Sequence, residues 1–202
     1  DDKGHGSEKH GVLTFGRMNP PTIGHEKLVD KVHEIAKQHN AEHRVVLSGS
    51  QDTSEKEKKA GKNPLPAAVK GKHAKRAFPG TNISVAKKGE NMFHHAAKMH
   101  AAGIQHLHMV VGSDRVKDTE KYLKAQNDKP GAHGHYNFKS ITVHDAGHRD
   151  PDAEGAEGMS ASKMRSHASS GNRDEFHKGA PSKMSTAHKE ELYNDLRKHM
   201  GK

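Results

Sequence analysis

The stretch Gly11–Val29, GVLTFGRMNPPTIGHEKLV, constrains this chain more than any other. A short apolar run, Val12, Leu13 and Phe15, meets a Gly16-Arg17 turn. A rigid Asn19-Pro20-Pro21 segment follows, then Thr22-Ile23-Gly24-His25, and from Glu26 the apolar residues fall at helical spacing. A strand that ends in such a loop and re-enters as a helix brings backbone N–H groups, one Arg and one His into one small volume. Free amides and the helix dipole favour an anion there. Arg17 suits a bidentate phosphate contact, and Gly24 permits close backbone approach. Asn19 either orients the loop or serves as a turn residue.

The same alternation continues along the chain. Strands are expected at 12–15, 44–47, 83–86, 106–111 and 140–143, and helices at 26–39, 64–78, 90–102, 116–125, 160–169, 174–178 and 187–200. Short apolar strands without in/out alternation are the pattern of a parallel sheet covered on both faces. The expected fold is therefore α/β: a Rossmann-like, doubly wound parallel sheet of about five strands with helices on both faces and a C-terminal helical extension. Residues 1–10 read as a flexible leader, 11–170 as the Rossmann-like domain and 171–202 as the extension. The Lys/Glu-rich segment 51–63 reads as a mobile loop, and a long acidic loop runs from Asp145 to Gly158. Such sheets bind ligands beyond the carboxyl ends of their strands, at a topological switch point. The segments 16–25, 112–114 and 160–165 all follow strands or open helices, which lets them meet at one site.

Gly158-Met159-Ser160-Ala161-Ser162-Lys163-Met164-Arg165 is the second constellation. Ser160 is a good N-cap, and Ser162 and Lys163 would lie in the first turn. Hydroxyls, free amides and a nearby cation make an anion cradle; an ordinary capped helix is the plainer reading. Asp114, after Gly112-Ser113, reads on its own as a plain N-cap for the following helix. Lys70, Lys72 and Arg76 are candidate cations for an acceptor phosphate, or one solvated helix face. Asp150, Asp152 and Glu154 could help hold Mg²⁺ or close as a lid.

The Phe-Gly-Arg-x-Asn-Pro-Pro-Thr-x-Gly-His block, Phe15–His25, resembles the first signature of the nucleotidyltransferase superfamily with a His/Thr-x-Gly-His motif. Its form is most similar to cytidylyltransferase-like proteins of large tailed bacteriophages, as is the ending Glu-Leu-Tyr-Asn-Asp-Leu-Arg-Lys-His-Met-Gly. The segment from Met159 resembles the family's Ile-Ser-Ser-Thr-x-x-Arg motif, with Met159 for Ile, Ala161 for Ser and Ser162 for Thr. The resemblance implies transfer of AMP or CMP from a nucleoside triphosphate, ATP or CTP with Mg²⁺, to a phosphorylated small-molecule acceptor, with release of pyrophosphate. Nicotinamide-nucleotide adenylyl transfer is the first choice of reaction. It implies catalytic roles for His25, Arg17 and Arg165. Nucleotide contacts are implied from Phe15, Gly16, Thr22, Gly24, Gly112, Asp114, Ser160, Ser162 and Lys163, and acceptor contacts from Lys70, Lys72 and Arg76. Where the family often has a second His, this chain has Thr22, which supplies a hydroxyl but no positive charge.

Composition bounds the alternatives. A formal charge of +9 and a pI near 9.6 favour polyanionic partners. Nucleic acid is not favoured, because Lys56, Lys58, Lys59 and Lys62 lie in a polar loop and no basic tract alternates with aromatics. The absence of Cys excludes thiolate metal sites and a cysteine nucleophile. Of the 20 His, the pairs His94-His95, His106-x-His108 and His133-x-His135 read as dispersed surface residues, so no resident metal site is expected. No apolar run reaches the length of a membrane span, and a cytoplasmic setting, the host's if the chain is phage-encoded, is expected. Branched aliphatics and Phe fall well below the roughly one residue in five usual for a folded chain. That scarcity, with Thr22 and Ala161, motivates the competing expectation of a non-catalytic nucleotide-binding or virion-associated protein; homo-oligomerisation is compatible with either.

Overall fold

Neighbouring residues of a strand point to opposite faces, so a run such as Val12-Leu13 needs apolar cover on both sides. The computed structural model, which describes residues 8–147 and 159–202, provides it. Its five strands are β1 (His10–Gly16), β2 (Glu42–Leu47), β3 (Ile83–Val85), β4 (His106–Val111) and β5 (Ser140–Asp145). All pair in parallel, in the order β3-β2-β1-β4-β5. Between and after them lie α1 (Gly24–Gln38), α2 (Glu55–Ala60), α3 (Ala67–Ala77), α4 (Met92–Ala101), α5 (Val116–Ala125), α6 (Ala161–Ser170), α7 (Arg173–Gly179) and α8 (Thr186–His199). This is the doubly wound Rossmann-like arrangement, with its switch point between β1 and β4.

One core layer joins Val12, Val45, Leu47 and Val110 to Val29, Val32 and Ile35 of α1, Ala74 and Ala77 of α3, Met164 of α6, Phe176 of α7 and Leu192 and Leu196 of α8. The other joins Leu13, Val46, Leu107 and Met109 to Ala96 and Met99 of α4 and Leu123 of α5. Residues 171–202 thus share the layer that also buries Val12 and Val29. Met18, Met99, Met109, Met159, Met164 and Met184 are all buried. Flexible thioethers fill gaps that branched aliphatics would otherwise occupy.

Two segments depart from expectation. Within 51–63 the chain forms α2, whose N-cap Ser54 accepts from the Glu57 amide while the Glu57 carboxylate accepts from the Ser54 amide. This reciprocal capping box satisfies helix-end donors. Backbone and side chain of Asp52 also pair with Asn63, pinning the loop at its base. At the other departure, β1 begins at His10, inside the stretch expected as a leader. Glu8 accepts from Lys139 Nζ at 2.9 Å and lies 2.6 Å from His106 Nε2. Residues 1–7, and Asp150, Asp152, Glu154 and Gly158 of the acidic loop, lie outside the described residues. Among the described residues no helix is long and apolar enough to cross a membrane.

Candidate functional site

The loop after β1 is held from several directions. Asn19 is buried, and its side chain both donates to the Leu65 carbonyl (3.1 Å) and accepts from the Leu65 amide (3.0 Å). It therefore orients the loop. Buried Met18 takes a left-handed φ of 44°, a conformation an unbranched non-Gly residue holds only where its surroundings enforce it. At Gly16 a β-carbon would meet nothing within 4 Å, so the end of β1 faces open space.

Thr22 starts the turn into α1. Its Oγ1 accepts from the Gly24 amide at 3.1 Å, and its own amide donates to His25 Nδ1 at 2.9 Å. This is capping-box logic with imidazole in place of carboxylate. Because Nδ1 accepts, a neutral His25 ring carries its proton on Nε2. The Thr22 hydroxyl also donates to the Met159 carbonyl at 3.2 Å, joining the first constellation to the second. Gly24 makes that contact feasible: a β-carbon there would stand 2.9 Å from the Met159 oxygen and 3.3 Å from Thr22 Oγ1. Gly24→Ala is expected to destabilise the chain by about 1–3 kcal/mol through this overpacking, read as a lowered melting temperature.

On the other side of the junction, Ser160 caps α6 by accepting from the Lys163 amide at 3.1 Å. Ser162 is exposed at the first turn and Lys163 is partly buried there. Arg165, one turn on, donates to the Asn19 carbonyl at 2.9 Å. The N-termini of α1 and α6 are thereby held beside the loop after β1.

The cations of the site come from three elements. Lys70 of α3 is fully buried, and its Nζ donates to the carbonyl (2.7 Å) and hydroxyl (3.3 Å) of Ser48, just past the end of β2. Among the described residues it forms no ion pair. Burial, and then the charge of nearby Arg17, push its pKa down to about 8. Burial lowers the Arg165 pKa as well, with Arg17 again contributing and Asp52 opposing. Arg17 itself is exposed. These three cations share one neighbourhood at the carboxyl ends of β1 and β2, against their mutual repulsion.

Lys72 and Arg76, grouped with Lys70 in sequence, point elsewhere. Lys72 pairs with Glu191 (3.0 Å) and Asp195 (3.7 Å) of α8, and Arg76 pairs with Glu191 (2.5 Å). Hydrogen bonds from Arg76 and Lys72 hold the Glu191 pKa down to about 2. Both residues tie α3 to α8, lying about 160° and 120° round the helix from Lys70 at 3.6 residues per turn. Phe15 is partly buried in the second core layer, its ring 5.8 Å from that of His95. Extending the β1–β4 register, in which Leu13 pairs with Met109, sets Gly16 level with Gly112. Gly112 opens a short 3₁₀ turn; Asp114 is exposed there and makes no side-chain cap to α5. Ser113 Oγ donates to Asp145 at 2.7 Å, linking the ends of β4 and β5.

Sequence reasoning did not single out Ser48 or Asp52, whose relation to Lys70 and Arg165 depends on the β2 loop folding back over β1. Nor did it find that His106 and His108 gather with His10, His39 and His144, which come from distant segments. No protein-family model matches the chain, and no curated protein matches it in sequence.

Proposed function

We propose that the chain is a nucleotidyltransferase that moves AMP or CMP from a nucleoside triphosphate to a phosphorylated acceptor, nicotinamide mononucleotide being the first acceptor to test. The observation that carries this reading is the gathering of Arg17, Lys70 and Arg165 beside the open face of Gly16 and the N-termini of α1 and α6. A buried lysine that forms no ion pair among the described residues, set beside like charge, is costly to a fold, and a bound polyanion is what would offset that cost. The position, at the carboxyl end of a doubly wound sheet beside its switch point, suits a nucleotide.

In the proposed reaction an oxygen of the acceptor phosphate attacks the α-phosphorus. The new P–O bond forms as the bond to the β-phosphate bridging oxygen breaks, and pyrophosphate leaves with that electron pair. Such transfer depends on positioning and charge stabilisation. Arg17, Lys70 and Arg165 would neutralise the triphosphate, and the amides opening α6, with the hydroxyls of Ser160 and Ser162, would hold its distal end. His25, its Nδ1 committed to the Thr22 amide, would present Nε2–H to the charge developing at the α- or β-phosphate. Mg²⁺ would arrive held chiefly by the phosphates, as it commonly does at such sites, and supply further charge neutralisation. Asp52, near Arg165, is engaged with the Asn63 amide.

One observation favours a second reading, nucleotide binding without turnover. The Thr22 hydroxyl is committed to Gly24 and Met159, so the position where the resembled family often has a second His offers little to a phosphate. Pyrophosphate release from ATP and CTP with Mg²⁺, with and without nicotinamide mononucleotide and other phosphorylated acceptors, separates the two. Acceptor-dependent release is expected. Stabilisation by nucleoside triphosphate without release would select the binding-only reading, and neither effect would end the nucleotide proposal.

A further inference from the structure

At the opposite end of β1 from Gly16, about 20 Å away at the usual strand rise, imidazoles from four segments meet. His10 opens β1, His39 caps the end of α1, His106 and His108 share a face of β4, and His144 lies in β5. His108 is buried. Its Nε2 lies 2.8 Å from His10 Nδ1, and its Nδ1 lies 2.8 Å from His144 Nε2. The His39 ring stands 4.3 Å from that of His108 and 4.7 Å from that of His10, centre to centre. One nitrogen from each of His10, His39 and His108 falls within 4.8 Å of the others. His106 is otherwise engaged, 2.6 Å from both Ser140 Oγ and Glu8.

We propose that His10, His39 and His108 form a binding site for a divalent transition-metal ion of the zinc class, with His144 orienting His108. Three neutral imidazoles are the donor set such ions favour over Mg²⁺ or Ca²⁺. Zn–N bonds of about 2.0–2.1 Å in tetrahedral geometry set ligand nitrogens roughly 3.3 Å apart. His10 Nδ1 and His108 Nε2, now sharing a proton, need separate by only a few tenths of an ångström. His39 is exposed at the helix end, so its ring can turn the remaining distance, and water completes the coordination. His108 would ligate through Nε2 while its Nδ1–H donates to His144 Nε2, the outer hydrogen bond that fixes a ligating imidazole in its tautomer. This site stands apart from the proposed nucleotide site and does not depend on it.

The test uses the full chain, without a polyhistidine tag and stripped by chelator, titrated with Zn²⁺ by calorimetry and with Co²⁺ by visible absorption. One equivalent of Zn²⁺ is expected to bind and raise the melting temperature, and Co²⁺ is expected to give the intense absorption of a four-coordinate ion. His39→Ala, at an exposed position, should fold normally, abolish the Zn²⁺-dependent rise in melting temperature and weaken binding by at least about tenfold. Removing exposed His135 and His199 together should change neither. Absence of stoichiometric binding, binding unaffected by His39→Ala, or binding lost only with His135 and His199 would each overturn the proposal.

Discussion

His25→Asn is expected to lower the rate of acceptor-dependent pyrophosphate release by about 10²–10³-fold, the usual effect of removing one donor aimed at developing transition-state charge. Its melting temperature should stay near that of the parent chain. The asparagine carbonyl can replace Nδ1 as acceptor for the Thr22 amide, but nothing then reaches the position of Nε2. His25→Gln keeps both functions in part. Its Oε1 can accept from the Thr22 amide, as Gln does in an ordinary capping box, while its N–H approaches the Nε2 position, so it should hold the parental melting temperature and retain more activity than the asparagine variant. His25→Ala loses both functions. If the asparagine variant turns over at the parental rate, His25 is a helix cap and nothing more.

Lys70→Met carries the second large effect. Removing this buried cation should weaken nucleoside triphosphate binding by at least about tenfold, the scale of one charge-assisted hydrogen bond to phosphate, without lowering the melting temperature at pH 7. The sign follows from the pKa. Lys70 titrates at about 8 in the folded chain, against an ordinary value of 10.5. The unfolded chain therefore holds the proton more tightly, folding stability rises with pH between those values, and below pH 8 the buried charge opposes folding. A phosphate placed beside Nζ raises the pKa again, so affinity should be full below pH 8 and decline as pH rises through 8. Calorimetric titration of ATP or CTP at several pH values checks this, and the decline should vanish in the methionine variant. A destabilised variant with unchanged affinity would make Lys70 a structural residue.

Much of this arrangement could be read before any coordinates. The strands stood out because Val, Leu, Ile and Met cluster in short runs. Both turn segments stood out because Gly, Pro, Ser and His serve a loop-to-helix junction better than they serve a core. For Lys70 the solvated-face alternative fails, because with His73, Ala74 and Ala77 it lies on the buried stripe of α3 at three-, four- and seven-residue spacing. Lys72 and Arg76, off that stripe, fit the solvated reading better and serve as ties to α8. Helix α2 was signalled by Ser54-x-x-Glu57, a capping box, but the Lys/Glu run around it masked the signature. The histidine cluster was beyond reach, since nothing local relates positions 10, 39, 108 and 144; only the strand order and the end of α1 do. Asp114 is settled only against the simple capping role, which it does not play for α5.

The C-terminal helices have a consequence for how the molecule is made. The Ile23 amide donates to the Gly179 carbonyl, Ser182 donates to Glu26, and Gly179 leaves room where a β-carbon would strike Met159 and Met164. The Thr22–Met159 and Glu26–Ser182 contacts span 137 and 156 residues of chain. Contacts across so long a separation close late, and domains are built in the order in which the ribosome releases them. While the chain is being synthesised, the Asn-Pro-Pro loop and the start of α1 must wait until Met159 and Ser182 have been added before their partners exist. A nascent chain arrested after β5 would carry Arg17 and Lys70 but neither Arg165 nor the α6 N-terminus, and so could not offer a nucleotide the assembled cradle.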